Sequence, residues 1–260
     1  DIGTESDDLL MRQACIDTAI AQMKDTILAD KVRKFIYFSA GIWPSVEEIK
    51  NRFNSMKTLK EQIAKAEADN DNETLNRKII AIGECGLDHH WNPGGVDGRC
   101  ESDFNQQMFL AEKELFELQL EYAKELNLPV IIHSRDAFED TLDCIKNAGY
   151  DNGIIHCYSY GAEEAKAFLE RGWYISFSGG VTYTKKSKME GMKALLTLVP
   201  EDRILCETDS PYLAPVPNRG KRNESSYIPF IASRLAELTG KDLSEVAAQT
   251  TANAEKLFEI

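Results

Sequence analysis

The chain has 260 residues, of which 43% are hydrophobic, so it can bury a sizeable core as one α/β barrel or as two small domains. Its net charge of −13 argues against a broad basic surface for duplex nucleic acid, but it is compatible with a nucleic-acid enzyme that has a small phosphate site. No apolar run approaches the ~20 residues that span a bilayer, and the first residues do not resemble a signal peptide. We therefore expect a soluble, cytoplasmic protein with no membrane partner.

The six cysteines are scattered along the chain and include no CxxC pair. This spacing is not that of a zinc finger or a disulfide framework. Several of the cysteines lie inside apolar runs, so we expect buried, reduced thiols.

Short apolar runs alternate with longer segments of helical periodicity along the chain. The runs predict strands at about 35–40, 79–83, 129–132, 153–155, 173–177 and 203–206, with a further fragment at 2–4. The periodic segments predict helices at about 9–23, 45–76 with a break at 69–72, 104–126, 162–171, 189–198, 227–238 and 243–258, and a further helix that runs through Leu142 and Ile145. This alternation is typical of parallel βαβ units, and no linker divides the chain, so we expect one domain over residues 1–260. An open doubly wound sheet would be favoured by a glycine-rich phosphate turn after the first strand, and the sequence has none there.

Side chains that bind metals follow, or nearly follow, four of the predicted strands. They are Glu84, His133, His156 and Asp209. In a closed parallel barrel the carboxyl ends of the strands converge on one face, so these side chains would meet there. One histidine alone is more often a buried side chain with satisfied hydrogen bonds than a ligand. Two histidines at matching strand ends, with carboxylates at two others, favour a divalent-metal site of mixed nitrogen and oxygen ligands.

Four segments around these residues carry a more specific resemblance. They read GECGLD at 83–88, PVIIHSRDA at 129–137, IHCYS at 155–159 and ETDSPYLAP at 207–215. The first resembles the GEIGLD motif of the TatD family of metal-dependent deoxyribonucleases, and the other three resemble the later signatures of that family. The four motifs occur in order and with plausible spacing, and with the terminal helices the resemblance covers nearly the whole chain.

The resemblance implies a (β/α)8 TIM-type barrel within the amidohydrolase-like metal hydrolases, with divalent ions, expected to be two, of Mg, Mn or Zn. It implies that Glu84 binds or bridges the metal and takes part in catalysis, and that His133 and His156 are ligands. Asp209 would be a ligand and the candidate general base. Glu207 would hold Asp209 or a histidine in place, or would be an ordinary hydrogen-bonding residue at a strand end.

The chain departs from the family pattern at its beginning. The family normally opens with a strand that ends in a His-x-His pair, and this chain has no such pair. Its first residues fit best on the end of the family's second strand, so the first strand and part of the second, roughly 25–35 residues, would be missing. We therefore expect the natural protein to be longer at its N-terminus and to carry the His-x-His pair there.

Four residues are candidates for substrate binding. Trp43 stands where the family usually has a histidine, and it would either stack on a base or plug the barrel mouth. Arg219 and Arg222 belong to the one compact basic cluster near the proposed site, residues 218–223, which either binds phosphate or is a solvated loop. Arg135 would help to bind phosphate or would form a salt bridge with a neighbour.

These features support three hypotheses about function. The first is a metal-dependent phosphodiesterase that acts on DNA, as an exonuclease on single-stranded ends, with no obligatory protein partner. The second keeps the barrel and the metal but changes the substrate to an amide, another ester or another phosphoester, since fold and metal do not fix the substrate. The third is a non-catalytic binding protein, which the absent histidine pair and Trp43 would favour.

Overall fold

The computed structural model describes residues 2–68, 79–90 and 99–260. The chain divides into two compact units, residues 1–150 and 151–260. The single domain that the sequence predicts over residues 1–260 therefore stays a prediction. The predicted helix break at 69–72 and the following residues to 76 lie outside the described residues.

The unit of residues 1–150 contains a parallel sheet with helices between its strands. The order of its elements is α1 Leu9–Ala21, α2 Thr26–Phe35, β1 Phe38–Ala40, α3 Val46–Lys50, α4 Arg52–Ala68, β2 Ile79–Asp88, α5 Gln106–Leu126, β3 Val130–Arg135 and α6 Phe138–Ala148. Strand β2 pairs in parallel with β1 on one side and with β3 on the other. All three residues of β1 are buried, which is typical of parallel strands covered on both faces.

The unit of residues 151–260 repeats the same alternation. Its elements are β4 Gly153–Ile155, α7 Ala162–Leu169, β5 Tyr174–Phe177, α8 Met189–Leu198, β6 Ile204–Cys206, α9 Ile228–Thr239 and α10 Leu243–Phe258, with short 3-10 helices at Gly179–Tyr183, Lys186–Lys188, Glu201–Arg203 and Ser225–Tyr227. Strand β5 pairs in parallel with β4 and with β6. Strands β4 and β5 are short and wholly buried, so the polar residues that follow them begin where the core ends.

The predicted elements largely agree with those of the structure, and the main corrections concern the first 40 residues and the ends of two strands. The fragment at 2–4 is not a strand, although its backbone accepts hydrogen bonds from Trp43 N–H at Thr4 and from Glu84 N–H at Gly3. Helix α2 was not predicted, and Phe35 ends that helix instead of opening a strand. Strand β2 continues five residues beyond its predicted end at Gly83, as far as Asp88. Strand β3 likewise continues beyond its predicted end at residue 132, as far as Arg135, so His133 lies inside it and does not follow it. Within the described residues, no helix is long and apolar enough to cross a membrane.

Candidate metal centre

Glu84 lies inside strand β2, whereas the sequence placed it at the end of a strand. The pairing of β2 with β3 shifts register between Gly83 and Cys85, so that Glu84 is an extra residue in the ladder. Such a bulge bends the strand locally and changes the direction of a side chain. Gly83 fits this position because its φ is 144°, which residues with a Cβ rarely adopt. The bulge therefore sets the direction of the Glu84 carboxylate.

His133 lies inside β3 and has a carboxylate at each ring nitrogen. Its Nδ1 is 2.9 Å from Oε1 of Glu84, and its Nε2 is 3.0 Å from Oδ2 of Asp88. The ring is therefore fixed in two directions, because turning it would break both contacts. A metal-binding histidine typically has its second nitrogen held by a carboxylate in this way.

Asp88 is a functional candidate that the sequence reasoning did not single out. Its side chain is 1% exposed, and its second oxygen lies 3.0 Å from Nε of Arg135. Burial by itself raises the pKa of Asp88. The hydrogen bond and charge of His133, the backbone N–H of His90 and the charge of Arg135 outweigh burial, so the pKa is lowered. Asp88 thus supplies a buried negative charge that holds His133.

A buried ion pair lies behind Asp88. Arg99 and Glu112 are both fully buried, with Nη2 of Arg99 2.9 Å from Oε1 of Glu112. The same Glu112 oxygen accepts the backbone N–H of Asp88 at 3.1 Å, and Arg99 donates to the backbone carbonyls of Asp88 and Pro44. This pair fixes the end of β2. Charged side chains are almost never fully buried unless they are paired, but the sequence alone does not show which ones are.

Trp43 and Arg135 both contact this group of residues. The Trp43 ring meets the His133 ring edge-on, with centroids 5.9 Å apart, and the Arg99 guanidinium lies 5.5 Å from the Trp43 ring centroid. Trp43 is half-buried in these contacts. Arg135 keeps 35% of its side chain exposed while it pairs with Asp88, so the salt bridge that the sequence left open is made to Asp88.

In the unit of residues 151–260, His156 directly follows strand β4 and is 5% exposed. Its Nδ1 lies 3.2 Å from Oε2 of Glu207, whose other oxygen accepts the backbone N–H of Cys157. Glu207 therefore orients the imidazole and the turn that follows it. Burial and then the negative charges of Asp209 and Glu207 raise the pKa of the Cys157 thiol to about 12, so this thiol is protonated near neutral pH.

Asp209 lies three residues beyond strand β6, in a loop. Its φ of 58° places it in the left-handed region, which is uncommon for aspartate and often marks a functional position. The loop is held by Asn223, which is 2% exposed. The Asn223 amide donates to the carbonyl oxygens of Thr208 at 2.6 Å and Tyr212 at 2.7 Å. Asn223 thus encloses Asp209 between two fixed backbone positions, a role that the sequence did not reveal.

The predicted phosphate-binding residues Arg219 and Arg222 are exposed. The Arg219 guanidinium lies 4.5 Å from the centroid of the Tyr183 ring. Each unit therefore contains part of the predicted site. In the first unit, Glu84, Arg135 and Trp43 lie near His133, and they are linked by contacts with Asp88 and Arg99. In the second unit, His156 contacts Glu207, and Asn223 stabilises the loop that carries Asp209.

Comparison with known proteins identifies the family. The family model described as TatD related DNase matches residues 9–259. The uncharacterized metal-dependent hydrolase YabD of Bacillus subtilis is 39% identical over 228 residues, which are 87% of this chain and 78% of that protein. A protein of Citrobacter rodentium named 3'-5' ssDNA/RNA exonuclease TatD is 37% identical over 194 residues, 70% of this chain and 66% of that protein.

A solved structure has the same fold. The TatD homologue YJJV of Escherichia coli superposes with a TM-score of 0.73 at 23% identity, over 99% of this chain and 85% of that one. The predicted α/β fold of the (β/α)8 type is thereby confirmed. The match of the family model over nearly the whole chain confirms the resemblance that the four motifs carried. This chain belongs to the TatD family and is a metal-dependent hydrolase.

Proposed function

We propose that this protein is a phosphodiesterase that removes nucleotides from the ends of single-stranded DNA. The observation that carries the proposal is that His133 and His156 are each held by a carboxylate, Asp88 and Glu207 respectively, as metal-binding histidines are. A relative named as a single-strand exonuclease supports this choice of substrate. The exposed Arg219 and Arg222 suit phosphate oxygens. The expected cytoplasmic location is part of the same proposal.

The side chains fit a divalent ion by their chemistry. Carboxylate oxygens and imidazole nitrogens are the donors that Zn²⁺ and Mn²⁺ accept, and carboxylates also suit Mg²⁺. Oε1 of Glu84 and Nδ1 of His133 lie 2.9 Å apart. Both residues would act as ligands, as would His156 and Asp209. Glu84 would offer two carboxylate oxygens to the ions, of which we propose two. Such an ion, when bound, polarises a phosphoryl oxygen and activates a water molecule.

The roles of the protein's own residues follow from their surroundings. Asp209 would accept the proton of the attacking water while the bond from phosphorus to the leaving oxygen breaks. Asp88 would keep the Nε2 proton of His133 in place, so that Nδ1 faces Glu84. Arg135, anchored to Asp88 and partly exposed, would neutralise charge on the phosphate together with Arg219 and Arg222. Trp43 would stack on the terminal base with the part of its ring that is exposed.

The test is digestion of end-labelled single-stranded DNA by the purified full-length protein with Mg²⁺ or Mn²⁺. We expect a ladder of products that shorten from one end, and no products after EDTA treatment. Esters, amides and phosphomonoesters are tested in parallel under the same conditions. Intact DNA alongside turnover of one of these substrates would overturn the proposal.

A further inference from the structure

Two exposed loops of the second unit concentrate positive charge in a protein that is otherwise acidic. Residues 179–188 and 211–222, called here the basic loops, contain six of the 30 Lys and Arg residues and none of the 43 Asp and Glu residues. The six are Lys185, Lys186, Lys188, Arg219, Lys221 and Arg222, and all are exposed. Among the described residues, none of these six side chains forms an ion pair, so their charges are available to a ligand.

The two basic loops touch each other. The backbone N–H of Val216 donates to Oγ1 of Thr182 at 2.9 Å. The guanidinium of Arg219 lies over the Tyr183 ring, 4.5 Å from its centroid. A cation held over a ring uses its face for that contact and keeps the N–H groups at its edge for other acceptors. The loops therefore form one surface, and Arg219 lies at their junction.

The chemistry of this surface matches a polynucleotide backbone. Lysine and arginine side chains bind phosphate oxygens, and lysine acts as a point charge that tolerates many orientations. The aromatic side chain of Tyr212, in the second loop, is 70% exposed. Proteins that bind single strands without sequence preference combine such cationic tracks with aromatic rings on which bases stack. A neutral or short substrate would make little use of the three lysines in the first loop.

We infer that the basic loops bind the phosphate backbone of a single-stranded polynucleotide outside the nucleotide that is cleaved, with Lys185, Lys186 and Lys188 as the residues added to the predicted Arg219 and Arg222. This inference rests on the proposed function, because it names how that same site retains a long substrate. It predicts that the protein prefers longer strands, since these offer phosphates to the lysines in addition to the phosphate that is cleaved.

The experiment compares two variants in which three exposed lysines are replaced. One variant is K185Q/K186Q/K188Q. The matched control is K24Q/K31Q/K34Q, which makes the same change of charge at exposed positions of the first unit. Binding of fluorescent oligodeoxythymidylate to the full-length protein is measured by anisotropy in EDTA, between 50 and 200 mM salt, so that cleavage does not interfere.

We expect the first variant to bind more weakly by on the order of 10- to 100-fold at 0.1 M salt, with a salt slope reduced by about 2, because each lost phosphate contact removes about 0.7 from that slope. The control variant should stay within about twofold of the unmodified protein. In cleavage assays the first variant should show a raised KM for a 20-nucleotide strand and an unchanged kcat. Equal losses in both variants, or no loss in the first, would overturn the inference.

The outcomes separate this inference from the proposed function. If the unmodified protein digests DNA and the first variant binds it normally, the lysines have no role and the proposed function stands. If the unmodified protein digests no DNA but binds it through these lysines, the surface stands and the proposed function fails.

Discussion

In residues 1–150 the candidate ligands Glu84 and His133 lie inside strands, whereas in residues 151–260 Asp209 lies in a loop after a strand. The first pair is supported by Asp88 and by the fully buried ion pair of Arg99 and Glu112. The Asp209 loop is held mainly by the neutral amide of Asn223.

This difference has an energetic consequence. A buried ion pair is costly to break, because removing one partner leaves the other charge in a low-dielectric interior. The loss of a neutral hydrogen bond costs less, because it leaves no unpaired charge in the interior. Substitutions in the buried pair of Arg99 and Glu112 should therefore cost mainly stability. Substitutions in the Asp209 loop should cost mainly activity while the protein stays folded.

The largest effect is expected from Asp209→Asn. The change removes the proposed proton acceptor and keeps nearly the same shape, so kcat should fall by about 100- to 10,000-fold with little change in stability. Single-turnover cleavage of single-stranded DNA and thermal unfolding measure the two quantities. Asp242→Asn, at an exposed position, is the control and should keep full activity. Full activity in Asp209→Asn would remove Asp209 from the catalytic group.

Glu112→Gln should have the largest effect on stability. It takes away the negative charge beside Arg99 at a fully buried position, and the free energy of unfolding should fall by about 3 kcal/mol. Denaturant unfolding measures this loss. Glu114→Gln on the same helix is the matched control, because its pair with Arg52 is partly exposed and should cost less than about 1 kcal/mol. Equal losses in the two variants would contradict a special role for the buried pair.

Asp88→Asn should weaken metal binding. The neutral amide holds His133 less firmly than the carboxylate does, so the affinity for Mn²⁺ should fall by about 10- to 100-fold. Calorimetric titration of the full-length protein measures the affinity, and circular dichroism checks that the variant is folded. Asp140→Asn, which loses a partly exposed pair with Lys113, should bind Mn²⁺ normally. Unchanged affinity in a folded Asp88→Asn protein would contradict the role of Asp88.

Asn223→Ala should release the loop that carries Asp209. Two carbonyl oxygens lose their donor, which should cost about 1–2 kcal/mol of stability. We expect kcat to fall while Mn²⁺ affinity changes little, because Glu84 and His133 are untouched. Asn218→Ala in the same segment, whose side chain accepts a hydrogen bond from Lys221, is the control. A folded Asn223→Ala protein with normal kcat would show that the loop needs no such support.

The smallest effects concern the thiols. Cys15 is exposed, whereas burial raises the pKa of the Cys206 thiol to about 12. The thiolate of Cys206 appears only as the pH rises towards that value, so at pH 8 a thiol reagent should modify Cys15 and leave Cys206 intact. Mass spectrometry of the labelled peptides measures the order of reaction. Early labelling of Cys206 in the folded protein would show that its strand opens readily.

Much of the fold could be predicted from the sequence, because its signals are local. Helices α8 and α10 begin and end where helical periodicity predicts, and each described strand overlaps an apolar run. The missed helix α2 also had local signals, since Asp25 caps its first turn and Arg33 and Lys34 lie in its last turn. The apolar run that begins at Phe35 predicted a strand from that residue, so the helix that ends at Phe35 was missed.

The family and the types of side chain that can bind a metal could be predicted without the structure, because they depend on residue identity and spacing. Which charges are buried, and which partners hold them, became visible only in the folded chain. Arg99 and Glu112 read as ordinary charged residues, yet both are fully buried against the backbone of Asp88. Asn223 likewise gains its role from carbonyl groups 11 and 15 residues away. Burial and pairing depend on segments that meet only in the folded chain, so no local pattern in the sequence encodes them.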